Sequence, residues 1–159
     1  ANRRSLDFES WRDSVLEVTG SLDMAMGGPS VDLSVQENNR RTLYVTIKRR
    51  ELDTVLKMHG FPDPTGHSPK RDQVLTPLQQ LYSLNSSFIW SRSEQYVESW
   101  EESLSVEERL SQLFRRFFSR DPVPSELKMG TSYVALSGKE SWIRYVHALL
   151  ISNEFGFVD

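Results

Sequence analysis

The feature that most restricts the fold of this chain is how often its second half writes the start of a helix. Residues 76 to 85 read TPLQQLYSLN. Thr76 suits an N-cap, Pro77 the first helical position, and Gln79 the reciprocal bond of a capping box. Each such device stabilises a helix start by roughly 1 kcal/mol, so together they fix the boundary. Leu78, Leu81 and Leu84 follow within the helix, and Asn85 suits its close in a left-handed conformation. SSFIW then restarts a helix with Phe88, Val97 and Trp100 as apolar candidates.

The same grammar recurs downstream. Ser105 and Glu108 form a second capping box, with Glu107 also near that helix N-terminus. Val106, Leu110, Leu113, Phe114 and Phe117 then point inward at helical spacing, and Arg115, Arg116 and Arg120 gather at the C-terminal end, where the dipole favours cations. Pro124 starts a helix expected to run through Leu136 and to stop at Gly138. A last helix over 139–152 carries Trp142, Ile143, Val146, Leu149 and Leu150, and the closing NEFGFVD is too apolar for a free tail. The fold class is therefore mainly α: a compact bundle of about five to seven helices, with at most a short strand or hairpin near 42–48. With 159 residues, the chain suits a single domain that buries roughly 70% of its unfolded surface.

The first half is less periodic. Trp11, Val15, Val18 and Leu22 form one stripe of an amphipathic helix within 6–23, which MGGPS (26–30) ends. Residues 31–42 read as a loop. TLYVTIK (42–48) is β-branched and aromatic enough for a short strand, or else forms one end of a helix running on to Met58. HGFPDPTGHSPK (59–70) holds three prolines and two glycines and reads as a loop.

Composition removes several chemistries. The chain has no cysteine, so it holds no disulfide, thiolate zinc site, cysteine nucleophile or covalently attached haem. A net charge of -3 gives no strong steering toward a polyanion, and no apolar run is long enough to span a membrane. The chain begins with Ala1 and shows no signal peptide, as expected of a processed chain or an excised domain.

His59, Asp63 and His67 cluster in a proline-rich loop, but their spacing fits no zinc pattern. Met58, His59 and His147 are weighed as non-covalent haem ligands, and ordinary packing is the better account. Arg40, Arg41, Lys48, Arg49 and Arg50 flank TLYVTI, which suits phosphate contact or charge pairing with the six glutamates between 94 and 108. Glu101 and Glu102 are neighbours on a helix and point apart, so they make no glycosidase pair. No nucleophile elbow, P-loop or dinucleotide fingerprint occurs. The residues thus name no catalytic group and no cofactor.

Four stretches in order resemble a known family: RDSVLEVTGSLDMAMGGPS (12–30), NRRTLYVTIKR (39–49), LTPLQQLYSLNSSF (75–88) and LLISNEFGFVD (149–159). They are similar to the C-terminal domain of unknown function of large planctomycete proteins that often also carry cytochrome c domains. The positions that carry the likeness include Arg12, Asp13, Gly27, Gly28, Pro29, Arg41, Tyr44, Arg49, Gln79 and Asn85. Members often place a cysteine shortly before the basic residue that matches Arg71, where this chain has His67 and Ser68. The resemblance implies an exported, multidomain protein whose haem, if any, belongs to another domain. It implies neighbouring domains of the same larger chain as partners, and it transfers no catalytic residue. Candidate binding or signature residues are therefore Arg41, Tyr44, Arg49, Arg71, Gln79 and Asn85. They are expected either to serve structure or to line one polar pocket, whose small-molecule ligand the sequence does not name.

Overall fold

The computed structural model describes residues 4–35, 37–66, 76–100 and 103–158. The ends of the chain meet: β1 (Arg4–Ser5) pairs antiparallel with β2 (Phe157–Val158), with Arg4 opposite Val158 and Ser5 opposite Phe157. Between them lie eight helices among the described residues: α1 (Phe8–Val18), α2 (Thr54–Met58), α3 (Pro77–Asn85), α4 (Ser87–Glu98), α5 (Val106–Phe118), α6 (Pro124–Val134), α7 (Lys139–Leu150) and α8 (Asn153–Gly156). Six are of bundle length, and α2 and α8 are single turns. The mainly helical class expected from the sequence is the class observed.

The helix starts follow the predicted chemistry. The Thr76 hydroxyl accepts from the Gln79 N–H, and the Gln79 side chain accepts from the Thr76 N–H at 3.0 Å. Ser105 and Glu108 exchange the same pair of bonds at α5. The ends depart from expectation. Asn85 stays helical and donates to the Leu81 carbonyl, while Ser86, extended at φ -70° and ψ 115°, both ends α3 and precedes α4. A back-bonded Asn85 needs no left-handed residue, and the helix restarts one residue later. α6 stops at Val134, short of Leu136, and Gly138, at φ 57°, stands at the start of α7.

No strand forms over 42–48. Thr42–Tyr44 curls into a 3-10 turn, and the extended stretch after it bridges only Val45 with Val31. The cause lies on α1. Asp13 takes both the Thr42 N–H and the Thr42 hydroxyl, and the Thr42 carbonyl takes the Val45 N–H. Backbone groups that a ladder would use are thereby held elsewhere. The sheet of the described residues is the pair at the chain ends. The alternative helix toward Met58 shrinks to α2, which the Asp53 carboxylate caps.

α4 packs along α7, and α5 packs on both α6 and α7. Their shared core centres on Val15, Ile89, Leu110, Leu113, Val146 and Leu150, all almost fully buried. Each such side chain contributes about 1.5–3 kcal/mol relative to exposure. A smaller core of Phe8, Val45 and Leu56 ties α1 to the irregular segment 19–53 and to α2. Gly130 lets α6 approach closely, since a methyl there would lie 2.9 Å from both Leu110 Cδ2 and Tyr145 Oη. Arg120 follows the left-handed Ser119, pairs with Glu126 and Glu154, and lies over the Phe114 ring, joining α5, α6 and α8.

The basic runs do not reach the acidic segment 94–108 within the described residues. Arg41 meets Asp13, Lys48 meets Asp32, and Glu98 pairs with Lys139 of α7. The runs lie beside α1 and the 23–35 loop, whereas Glu98 meets α7 and Glu108 caps α5. Among the described residues, no helix is long and apolar enough to cross a membrane.

Candidate functional site

Arg12 organises the surface beside α1. It occupies the buried face with Phe8, Val15 and Leu16, and its side chain is 4% exposed. Its guanidinium donates to the carbonyls of Asn38 and Arg40 and, at 3.1 Å, to the Thr42 hydroxyl. That hydroxyl in turn donates to Asp13. The guanidinium also lies 5.1 Å from the centre of the Phe88 ring, with Arg92 at 5.5 Å from the same ring. Burial pulls the Arg12 pKa below the ordinary arginine value, with Asp13 beside it acting the other way.

Arg40 does comparable work one loop away. It lies 4.0 Å over the Tyr44 ring and donates to the carbonyls of Gly27 and Pro29. The Tyr44 hydroxyl accepts from the Gly27 N–H at 2.9 Å. Gly27 and Gly28 both have positive φ, so the two glycines of MGGPS supply a turn that Arg40 and Tyr44 clasp.

Arg41 has a different environment. Its side chain is 50% exposed and meets Asp13 Oδ2 only at 3.9 Å, beyond hydrogen-bond distance. It lines an open cavity of about 360 Å³ together with Glu9, Asp13, Val45, Leu56 and Phe61, and with Leu43 and Ile47 beside them. A second cavity of about 390 Å³ lies between α4 and α5, where Tyr96, Trp100 and Arg116 line it.

The remaining candidates stand apart. Gln79 caps α3 and donates its second amide hydrogen bond to the Met58 carbonyl at 2.9 Å. Asn85 is exposed and bonds its own helix, and Arg49 is exposed in a turn. Arg71 lies outside the described residues, as do His67, Glu101 and Glu102. Of the five described candidates, only Arg41 lines either cavity. His59 packs between the Phe8 and Tyr82 rings, and His147 packs near Trp90, so the two described histidines belong to separate clusters. Among the described residues, no three His, Asp or Glu side chains gather as a metal would require.

A family model described as PSD1, a protein of unknown function (DUF1553), matches residues 1–134. The chain belongs to this family. Comparison with curated proteins and with solved structures finds no match. The part of this DUF1553 chain that the family model matches holds α1 to α6 and the whole Arg12–Asp13–Thr42 arrangement, while α7, which completes the core, follows it. Candidate selection by sequence passed over Arg12, although a signal was present: an arginine in register with Phe8, Val15 and Leu16 on a helix face marks a buried cation that needs backbone partners.

Proposed function

We propose that this chain is a non-catalytic helical module that packs against a neighbouring domain of a larger, exported, cytochrome-c-associated protein. The observation that carries the reading is the orientation of α3. That helix turns Gln79, Tyr82 and Ser83 inward and leaves Leu78, Leu81 and Leu84 at 61%, 55% and 53% exposure. Spaced three apart, these leucines share one face of the helix. An apolar row on a helix whose start is fixed by a capping box suits contact with another surface. Tyr44, Gln79 and Asn85 direct their hydrogen bonds within the chain, as a structural role requires.

The export and the cytochrome association rest on the family resemblance. Fractionation of the source cells tests the first, with the protein expected at the periplasm or the cell surface. The packing reading is tested by placing photoreactive leucine at position 81 of the natural protein and irradiating it. Cross-links to residues beyond these 159 are expected. Recovery of cross-links within the chain alone would overturn the reading.

A further inference from the structure

We propose that Met24 and Met26, in the loop after α1, form an oxidation site at which peroxides convert the thioethers to sulfoxides without unfolding the chain. The proposal is independent of the docking read from α3.

The chemistry starts from the sulfur inventory. The chain has no cysteine and four methionines, so sulfur oxidation by two-electron oxidants falls to the thioethers. The structure ranks these by access. Met26 is 93% exposed, Met24 and Met129 are each 64% exposed, and Met58 is partly buried at the end of α2. Two of the four thus stand two positions apart on one loop. Met26 is also the most exposed large apolar side chain among the described residues.

The loop does not depend on these side chains for its shape. Neither methionine belongs to a hydrophobic core. The Asp23 N–H donates to the Asn39 carbonyl, and the Ala25 N–H donates to the Asp23 carboxylate at 2.9 Å. Arg40 donates to the carbonyls of Gly27 and Pro29, and the Tyr44 hydroxyl accepts from the Gly27 N–H. Main-chain groups therefore hold the loop on both sides of Met24 and Met26.

The reaction is an oxygen-atom transfer. A sulfur lone pair attacks one peroxide oxygen, the O–O bond breaks as the S–O bond forms, and the second oxygen leaves as water after proton transfer. Sulfur is oxidised by two electrons and the peroxide is reduced. In a core the new polar oxygen would carry a desolvation cost, but at these positions it stays in water. A thiol-dependent sulfoxide reductase would return the thioether. The loop pair can therefore consume oxidant reversibly with the fold intact.

The test treats the chain with limiting hydrogen peroxide and measures sulfoxide at each methionine by peptide mass spectrometry. Met26 is expected to react first and Met58 last. In the Met24→Leu, Met26→Leu variant the same peroxide should raise the sulfoxide at Met58 and Met129. A Met58→Leu, Met129→Leu variant keeps only the loop pair, and its full oxidation should move its thermal midpoint by no more than about 2 °C. Reaction of Met58 or Met129 ahead of Met26, unchanged sulfoxide at those two in the loop variant, or a larger fall in the midpoint would overturn the proposal.

Discussion

Arg12 shows how one buried cation sets the course of an irregular segment. Without regular structure of their own, residues 38–42 take their course from carbonyls and a hydroxyl gathered around its guanidinium. Removing it would leave those acceptors buried without donors, which costs more than the net value of the bonds. Arg12→Met should therefore destabilise the fold by about 3 kcal/mol in urea unfolding, whereas Arg41→Met, at a half-exposed position, should stay within about 1 kcal/mol. A second residue-scale expectation concerns His147. Its Nε2 is buried without a hydrogen-bond partner among the described residues, and burial lowers its pKa. The folded protein thus binds fewer protons there than the unfolded chain, so stability is full above the ordinary histidine value of 6.5 and falls as pH drops below it. His59, lowered for the same reason, adds to the slope. Thermal unfolding between pH 7.5 and 5 should show the decline, and His147→Phe should flatten it. An unchanged slope in that variant would rule out this assignment.

At the scale of elements, the helix starts were legible in the sequence because a cap is local chemistry: a hydroxyl, three residues and a return bond. Helix ends and the 42–48 segment were not, since their geometry is set from a distance. Thr42 curls because Asp13, 29 residues earlier, takes its N–H and hydroxyl. Asn85 remains helical because the Leu81 carbonyl satisfies its amide. The candidate residues divided for the same reason: an arginine's type shows in the sequence, but whether its partner is a carbonyl or an open cavity does not. Gln79 and Asn85 consequently differ in weight. Gln79 caps α3 and also bonds the Met58 carbonyl, so Gln79→Ala should cost about 2 kcal/mol. Asn85→Ala, at an exposed back-bonded position, should change stability by less than about 0.5 kcal/mol. Equal losses in the two variants, measured by chemical denaturation, would contradict this account of the corner.

For the molecule as a whole, polar and apolar residues on α3 exchange their usual sides. Gln79, Tyr82 and Ser83 are half-buried against the fold, the surface keeps a row of leucines, and the bundle core is built from α1, α4, α5, α6, α7 and α8. Such an arrangement stabilises the fold through capping and loop anchoring, and leaves the apolar face exposed. The most direct measurement is urea unfolding of the triple variant Leu78→Gln, Leu81→Gln, Leu84→Gln. Because all three side chains are more than half exposed, the account predicts a total change within about 1 kcal/mol and an unchanged dependence on urea. A loss of about 4 kcal/mol or more would place these leucines in the folding core and contradict the proposed docking role of α3.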